Sequence, residues 1–203
     1  MASEKDTYRT ITSHSRETLY KEKGSKFYGY AFPVTSEEEI KVHLDTLKKE
    51  HYNARHWCYA WQLGMGYERY RVNDDGEPSN SAGTPIHGQI KAFGLTNVLV
   101  VVVRYFGGTK LGVGGLIQAY KTSAKLALEA SRIITRTIDD ILIVQCSYAE
   151  LNIAMRIIKN EQLRIIDQKM EMDCKIEVSV RKKDSDRIFD TFRKLQNIHV
   201  KRR

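Results

Sequence analysis

With 203 residues and a net charge of +8, the chain is long enough for one large or two small hydrophobic cores and attracts partners that carry phosphate. Its longest apolar run, residues 98–103, is far shorter than the roughly 20 residues needed to span a bilayer, and the polar N-terminus has no signal-peptide core. Three cysteines spaced far apart, without a Cys-x-x-Cys pair, argue against a disulfide framework, so we expect a reducing, cytoplasmic location and no membrane partner.

The first part of the chain predicts strands and one long helix. Five segments have the alternation or aromatic content of half-buried strands: residues 8–12, 16–21, 26–34, 54–64 and 67–72. Between them, Ser36 and Glu39 form a capping-box pattern, and the apolar spacing that follows carries a helix to about residue 50.

A polar loop at residues 73–83 precedes a short helix, in which we expect Thr84 as N-cap and Pro85 at the first helical position. The nearly all-β-branched run at 97–103 is typical of a strand covered on both faces. A helix follows it at about 114–131.

The remainder of the chain predicts a second, smaller domain. Its strands and helices alternate in the order β-α-β-β-α-β: residues 138–146, 148–160, 163–170, 175–181, 184–195 and 198–200. This order is the ferredoxin-like arrangement, with Asp184 or Ser185 as the expected cap of its second helix. We therefore predict an N-terminal domain at 1–136 and a C-terminal domain at 137–203, joined through residues 135–139.

The segment at residues 104–115 is the strongest pointer to function. It contains five glycines between the buried strand and the next helix: Gly107, Gly108, Gly112, Gly114 and Gly115. Glycine permits positive φ and close backbone approach, so such a loop can direct several N–H groups at an anion, and the helix dipole adds to this. Arg104 and Lys110 add formal charge. The alternative is a tight turn with close helix–strand packing, and the spacing excludes both a Walker A loop and a dinucleotide fingerprint.

A basic stripe is expected on the following helix. Lys121, Lys125, Arg132 and Arg136 fall within one arc if the helix extends that far. Together with the glycine segment, this stripe predicts a surface for phosphate groups. The alternative is an ordinary solvated face.

The acidic loop gathers Asp74, Asp75 and Glu77 within four residues. Such carboxylates can hold Mg²⁺ or act as acid and base, but they can equally cap turns and helices. His56 and Cys58 share one face of a strand, yet no further Cys/His pair completes a zinc site, so we expect no resident metal or cofactor. Catalysis by His56 with these carboxylates stays open as an alternative.

Three motifs, in this order and spacing, resemble the IMPACT family, and more closely its bacterial YigZ-like branch. They are Ala54-x-His56-x-Cys58-Tyr59-Ala60, then residues 74–79 with 82–86, and residues 103–116 continuing to Ala119-Tyr120. The resemblance covers roughly the whole chain. It implies an N-terminal domain similar to the second domain of ribosomal protein S5 and to domain IV of elongation factor G. It also implies a C-terminal domain similar to domain V of that factor.

The resemblance implies less detail about function than about fold. Eukaryotic members act in translational control, and the bacterial branch is expected to associate with nucleic acid or the ribosome. One departure is that the family often has Gly-Thr where this chain has Asn80-Ser81. Asparagine tolerates positive φ, so the turn can be kept, and a role of the threonine hydroxyl would pass to Ser81.

Three hypotheses follow for this α+β protein. The leading one is a translation-associated factor that binds RNA or the ribosome, or a protein of the translation machinery, through the glycine segment and Lys121/Lys125. The second is a small hydrolase or other enzyme with a phosphate-bearing ligand, which requires the acidic loop and residues 104–115 to face each other across one cleft. The third is a protein-interaction module that uses edge strands of the C-terminal domain.

Overall fold

A computed structural model describes residues 6–203. Residues 1–5, where the sequence predicts no signal-peptide core, lie outside this range. The chain divides into two compact units, one of Tyr8–Arg136 and the other of Thr137–Arg203 with residues 6 and 7. None of the helices between residues 6 and 203 combines the length and the hydrophobicity of a membrane span.

Ten elements lie between residues 7 and 137. The strands are β1 (Thr7–Ile11), β2 (Thr18–Glu22), β3 (Ser25–Pro33), β4 (His56–Leu63), β5 (Arg69–Asn73), β6 (Val98–Tyr105) and β7 (Ile133–Thr137). The helices are α1 (Glu37–Glu50), α2 (Gly83–Ala92) and α3 (Gly112–Glu129). Five strands form one antiparallel sheet in the order β2-β3-β6-β4-β5, and β1 pairs with β7 separately. The sequence pattern missed β7: it placed residues 135–139 in the domain join and assigned no element to residues 133 and 134.

The central strand β6 explains how this unit is built. All six residues of its run from Val98 to Val103 are buried. Alternate side chains point to opposite faces of a strand, so Val98, Val100 and Val102 pack with α2 and α3, whereas the residues between them pack with α1. The prediction of a strand covered on both faces is confirmed.

The start of α1 follows the predicted cap with one difference. Ser36 Oγ accepts a 3.3 Å hydrogen bond from the backbone N–H of Glu39, as an N-cap should. The Glu39 carboxylate, however, accepts from the backbone N–H of Thr35 at 2.7 Å rather than from that of Ser36. The capping box therefore closes one residue earlier than the pattern predicts.

The expected Thr84 cap of α2 is wrong. The helix begins at Gly83, and its N-cap residue is Ala82, which has no side-chain acceptor. Instead, Oδ1 of Asp74 accepts from the N–H groups of Ala82 and Gly83 at 2.9 and 2.8 Å. A carboxylate that is distant in sequence caps this helix, so the local pattern could not identify it.

The second unit has six elements in the predicted order. They are β8 (Asp139–Cys146), α4 (Leu151–Asn160), β9 (Arg164–Met170), β10 (Cys174–Arg181), α5 (Lys182–Arg193) and β11 (Ile198–Arg202). Its antiparallel sheet has the order β11-β8-β10-β9, which confirms the ferredoxin-like fold. The expected cap of α5 is wrong, because β10 runs directly into the helix and the N-cap residue is Arg181.

Candidate functional site

The glycine segment and the acidic loop meet in the first unit. A cavity of about 360 Å³ lies between the end of β6, the start of α3 and the acidic loop. We call it the cleft, and its lining residues are Glu77, Pro78, Arg104, Phe106, Lys110, Leu111, Gly112, Val113 and Leu116. The two segments that the sequence singled out thus face each other, which is the arrangement that the enzyme hypothesis requires.

A buried ion pair joins the two sides of the cleft. Oε1 of Glu77 accepts a hydrogen bond from Nη1 of Arg104 at 2.6 Å and from the hydroxyl of Tyr120 at 2.7 Å. The side chains of Glu77 and Arg104 are only 4% and 6% exposed. The Arg104 charge is therefore compensated inside the protein and is not presented to solvent.

Strand register brings His56 and Arg104 together. The two residues are directly opposed on β4 and β6, and Phe27 opposes Arg104 on the other side. Directly opposed side chains lie on the same face of a sheet. The guanidinium carbon of Arg104 lies 5.4 Å from the Phe27 ring centroid, and Nε has no hydrogen-bond partner among residues 6–203.

His56 has a defined tautomer. Its Nδ1 lies 2.8 Å from the backbone carbonyl oxygen of Asp75. Because a carbonyl only accepts, Nδ1 carries a proton, so Nε2 is the nitrogen that bears the lone pair in the neutral tautomer. This Nε2 lies 4.0 Å from Oε1 of Glu77, at the edge of the buried ion pair.

The other two carboxylates of the acidic loop bind backbone amides. Asp74 caps α2 through Oδ1, and its Oδ2 accepts from the N–H of Asn80 at 2.9 Å. Oδ2 of Asp75 accepts from the N–H of Trp57 at 2.7 Å. Among the described residues, no three His, Cys, Asp or Glu side chains come together as a metal site. Mg²⁺ at this loop stays an untested alternative to the expectation of no resident metal.

Cys58 lies below the cleft. Its sulfur is 3.0 Å from the Asp74 carbonyl oxygen and 3.3 Å from the Tyr120 hydroxyl. Burial raises the pKa of the Cys58 thiol and of the Tyr120 hydroxyl far above their ordinary values, so both stay protonated at neutral pH. Tyr120 is thus a hydrogen-bond donor to Glu77, and Cys58 is not an activated nucleophile.

The five glycines of the segment have different surroundings. A Cβ at Gly107 would lie 1.9 Å from the carbonyl carbon of Gly24, so this glycine permits close packing against the β2–β3 turn. A Cβ at Gly115 would lie 3.1 Å from that of Leu111. Three glycines have open space where a Cβ would be: Gly108, Gly112 and Gly114. Gly108 and Gly112 also have φ of 88° and 71°.

The first turn of α3 opens at the cleft beside Lys110. Its N-cap residue, Leu111, makes no side-chain capping bond, and Lys110 and Gly114 are exposed. An uncapped helix N-terminus presents unpaired N–H groups and positive dipole charge to an anion. Lys110 supplies the exposed formal charge that Arg104 does not.

The exposed face of α3 continues from Gly114 to Lys121 and Lys125, about 10 and 16 Å farther along the axis. Lys125 pairs with Glu129 at 3.6 Å. The longer predicted stripe is wrong, because α3 ends at Glu129. Two of its arginines, Arg132 and Arg136, therefore lie beyond the helix.

Sequence reasoning missed three residues of this region. Tyr120 was named only as part of the third family motif, although a tyrosine among alanines signals a hydroxyl that needs a partner. Ser25, the first residue of β3, accepts from the N–H of Gly107 at 3.1 Å. Exposed Lys23 adjoins Gly24 in the turn that packs on Gly107, and only the tertiary structure brings it there.

The Asn80-Ser81 departure is accommodated locally. Asn80 has φ of 62°, which suits the glycine of the family pattern, and its side chain accepts from the hydroxyl of Thr84 at 3.0 Å. The hydroxyl of buried Ser81 donates to the carbonyl oxygen of Pro78 at 2.6 Å. The turn of the acidic loop is therefore kept.

Comparison with known proteins identifies relatives of this chain. Residues 23–128 match the family model described as the Impact N-terminal domain. The chain is 30% identical over 191 residues to IMPACT family member YvyE of Bacillus subtilis, covering 94% of this chain and 88% of the relative. It is 34% identical over 131 residues to IMPACT family member YigZ of Escherichia coli, covering 64% of each chain.

A crystal structure described as that of a hypothetical protein aligns over 96% of both chains with a TM-score of 0.73 and 24% identity. This likeness confirms the predicted α+β fold, in which a first unit is followed by a ferredoxin-like unit. The similarity of the first unit to the second domain of ribosomal protein S5 stays what the family resemblance implies. The match over more than half of the sequence and the relation to YvyE settle the recognition made from the three motifs: this chain belongs to the IMPACT family, in its YigZ-like branch.

Proposed function

We propose that this protein is a translation-associated regulatory factor of the cytoplasm, and that it binds RNA or the ribosome through the cleft and the exposed face of α3. Family membership supports the general role, since the resemblance implies translational control for eukaryotic members. The net charge of +8 favours a polyanionic partner. The geometry of the cleft supports the particular contacts.

The observation that carries this proposal is the open N-terminus of α3 beside Lys110. Gly112 and Gly114 leave open space over the first turn, so a phosphate group can approach the backbone N–H groups closely. A side chain at either position would cover these groups. The ammonium of Lys110 neutralises charge at the same place, and Lys121 extends the positive surface along the helix.

The buried ion pair gives this surface its rigidity. Glu77 compensates Arg104 and so holds the acidic loop against the end of β6. In this arrangement Arg104 positions the wall of the cleft, whereas Lys110, Lys121 and the amides of α3 contact phosphates. Exposed Lys23, beside Gly24 in the turn that packs on Gly107, would add a further phosphate contact for a longer strand of RNA.

Fluorescence anisotropy with a labelled single-stranded RNA tests the proposal. Affinity should fall about tenfold or more between about 50 and about 200 mM salt if three phosphates are neutralised. In the double variant Lys110→Glu/Lys121→Glu, affinity at low salt should fall at least about tenfold. The slope against salt should fall by about one for each lysine.

Lys41→Glu is the matched control. Lys41 is exposed on α1, which packs on the opposite face of the same sheet, so its reversal changes net charge without touching the cleft. Its RNA affinity should stay within about twofold of wild type, as expected for a weak long-range effect. Absence of RNA binding at low salt, or equal losses in Lys41→Glu and Lys110→Glu, would contradict the proposal.

A second function, turnover of a phosphate-bearing small molecule, is favoured by one observation. The acidic loop and the glycine segment line the same cleft, with Nε2 of His56 4.0 Å from Glu77. In this role His56 would accept a proton and Lys110 would bind the phosphate. Release of phosphate from ATP or p-nitrophenyl phosphate, with and without Mg²⁺, tests it. Turnover that survives His56→Gln, or no turnover at all, counts against this function.

A further inference from the structure

Two cysteines of the second unit lie directly opposite each other. Cys146 is the last residue of β8, Cys174 is the first residue of β10, and the antiparallel register pairs them. Directly opposed residues on antiparallel strands have Cα atoms roughly 4.5–5.5 Å apart. This separation lies inside the range of roughly 4.4–6.8 Å found in disulfides.

The side chains of the two cysteines also lie in the same buried core. Opposed residues of an antiparallel pair lie on the same face of the sheet, and both thiols belong to the buried core under α4 and α5. Both cysteines are free in this structure. Formation of a bond between the two sulfurs therefore requires no change of register.

From this register we propose that Cys146 and Cys174 are a dithiol site that forms an intramolecular disulfide by exchange with a small-molecule disulfide such as oxidised glutathione. The thiolate of one cysteine attacks the glutathione disulfide and releases one glutathione thiolate, leaving a mixed disulfide. The second cysteine, after losing its proton, attacks the protein sulfur of that bond and releases the second glutathione thiolate. Two protein thiols are thereby oxidised, and one glutathione disulfide is reduced to two thiols.

A neighbouring cavity gives the oxidant access to one of the two thiols. A cavity of about 400 Å³ is lined by Cys146 together with Ser147, Glu150, Asp173 and His199. Cys174 does not line this cavity and is fully buried. The geometry therefore makes Cys146 the thiol that attacks the glutathione disulfide first, and Cys174 the thiol that resolves the mixed disulfide.

The residues around Cys146 also determine how fast it exchanges with a disulfide. Burial, the thiol of Cys174 and the charges of Glu150 and Asp173 raise the pKa of Cys146. Only a small thiolate fraction is then present at neutral pH, so exchange is slow and accelerates as pH rises. This behaviour differs from that of an exposed regulatory cysteine and fits a site that responds to prolonged oxidation.

The consequence for the fold is a new covalent link. A bond between Cys146 and Cys174 encloses residues 147–173, which contain α4 and β9. Closing a loop of this length reduces the conformational freedom of the unfolded chain and stabilises the native unit. Oxidation would thus raise the thermal midpoint by several degrees without changing the sheet.

The test oxidises the folded full-length chain with excess oxidised glutathione and measures intact mass and peptide cross-links. We expect a product lighter than the reduced chain by two hydrogen atoms, a cross-link between the peptides that carry Cys146 and Cys174, and complete reversal by dithiothreitol. Cys174→Ala should stop at the glutathione adduct of Cys146. Cys58→Ala, in the other unit, should still form the disulfide and serves as the matched control.

Three results would overturn the proposal: stable glutathione adducts only, disulfides between two chains, or an internal disulfide whose formation abolishes the native far-UV circular dichroism. If Cys174→Ala fails to fold, the wild-type cross-link map alone still decides, because it needs no variant. The two cysteines lie in the second unit and take no part in the cleft, so this test is independent of RNA binding.

Discussion

Nη1 of Arg104 donates a 2.6 Å hydrogen bond to Oε1 of Glu77, and this buried pair joins the end of the central strand to the acidic loop. The two residues are 27 positions apart in the sequence. Tyr120 donates to the same oxygen atom, so one carboxylate holds β6, the loop and α3 together. The walls of the cleft are therefore fixed by electrostatic contacts that water scarcely reaches.

Removal of Glu77 should destabilise the protein strongly. In Glu77→Ala the guanidinium of Arg104 stays buried without its counter-ion, which typically costs about 3–5 kcal/mol in the free energy of unfolding. The exposed pair of Arg69 and Glu37 gives the control, and Glu37→Ala should cost no more than about 1 kcal/mol. Urea unfolding measures both. A loss below about 1 kcal/mol in Glu77→Ala would mean that the pair does not hold the fold.

Two glycines of the same segment should respond to alanine in opposite ways. Gly107→Ala brings a Cβ to within 1.9 Å of backbone atoms of Gly24, so the β2–β3 turn must move, at a cost of about 1–3 kcal/mol. Gly114→Ala places its methyl group in open space inside a helix and should stabilise the protein by about 0.5–1 kcal/mol. Thermal and urea unfolding of the two variants checks this contrast.

The same two variants separate folding from binding. If phosphate approaches the first turn of α3, the methyl group of Gly114→Ala covers part of that surface and lowers RNA affinity while stability rises. Equal affinity of Gly114→Ala and wild type at low salt would place the phosphates elsewhere. A loss of affinity in Gly107→Ala is not informative unless stability is measured in the same buffer.

Asp74 should behave as a structural residue. Its carboxylate accepts from three backbone N–H groups, two of them at the start of α2, so Asp74→Ala should cost at least the roughly 0.5–2 kcal/mol of a lost N-cap. Asp45→Ala, on the exposed side of α1, is the matched control and should change stability by less than about 0.5 kcal/mol. Equal unfolding midpoints for the two variants would disprove the capping role.

The sequence predicted well those elements whose signal is local. The periodicity of α1, the β-branched run of β6 and the βαββαβ order of the second unit were readable because burial follows the spacing of side chains along one element. The strand β7 could not be predicted from the sequence, because its five residues are stabilised by pairing with β1, more than 120 positions away. No local pattern reports such a partner.

The cleft shows the same difference between local sequence signals and tertiary contacts. The glycine segment and the acidic loop were each identified from composition. Which groups their charged side chains bind, however, depends on tertiary contacts. Arg104 was expected to face a ligand, and its register opposite His56 directs it toward Glu77 instead. In the sequence, Asp74 is one of three similar carboxylates in the acidic loop. It caps α2 only because the fold places the start of this helix beside it.

Stability should decrease at acid pH partly through His87. Its Nε2 lies 3.0 Å from the side-chain oxygen of Gln62 and therefore carries the proton, and its ring stacks on Tyr70 with centroids 4.4 Å apart. Burial lowers the pKa of His87, and the charge of Lys91 lowers it further. The unfolded chain, with a histidine pKa of about 6.5, then binds the proton more readily than the folded chain.

The sign of the effect follows from this difference in proton binding. The contribution of neutral His87 to stability is complete above the unfolded pKa of about 6.5 and is lost as pH falls through that value toward the lower folded pKa. His87→Gln removes the titrating group, so the difference in unfolding free energy between wild type and variant should shrink from pH 8 to pH 5, as measured in urea. Exposed His14→Gln controls for the loss of a histidine. A difference for His87→Gln that does not depend on pH would show that burial of this imidazole does not couple protonation to folding.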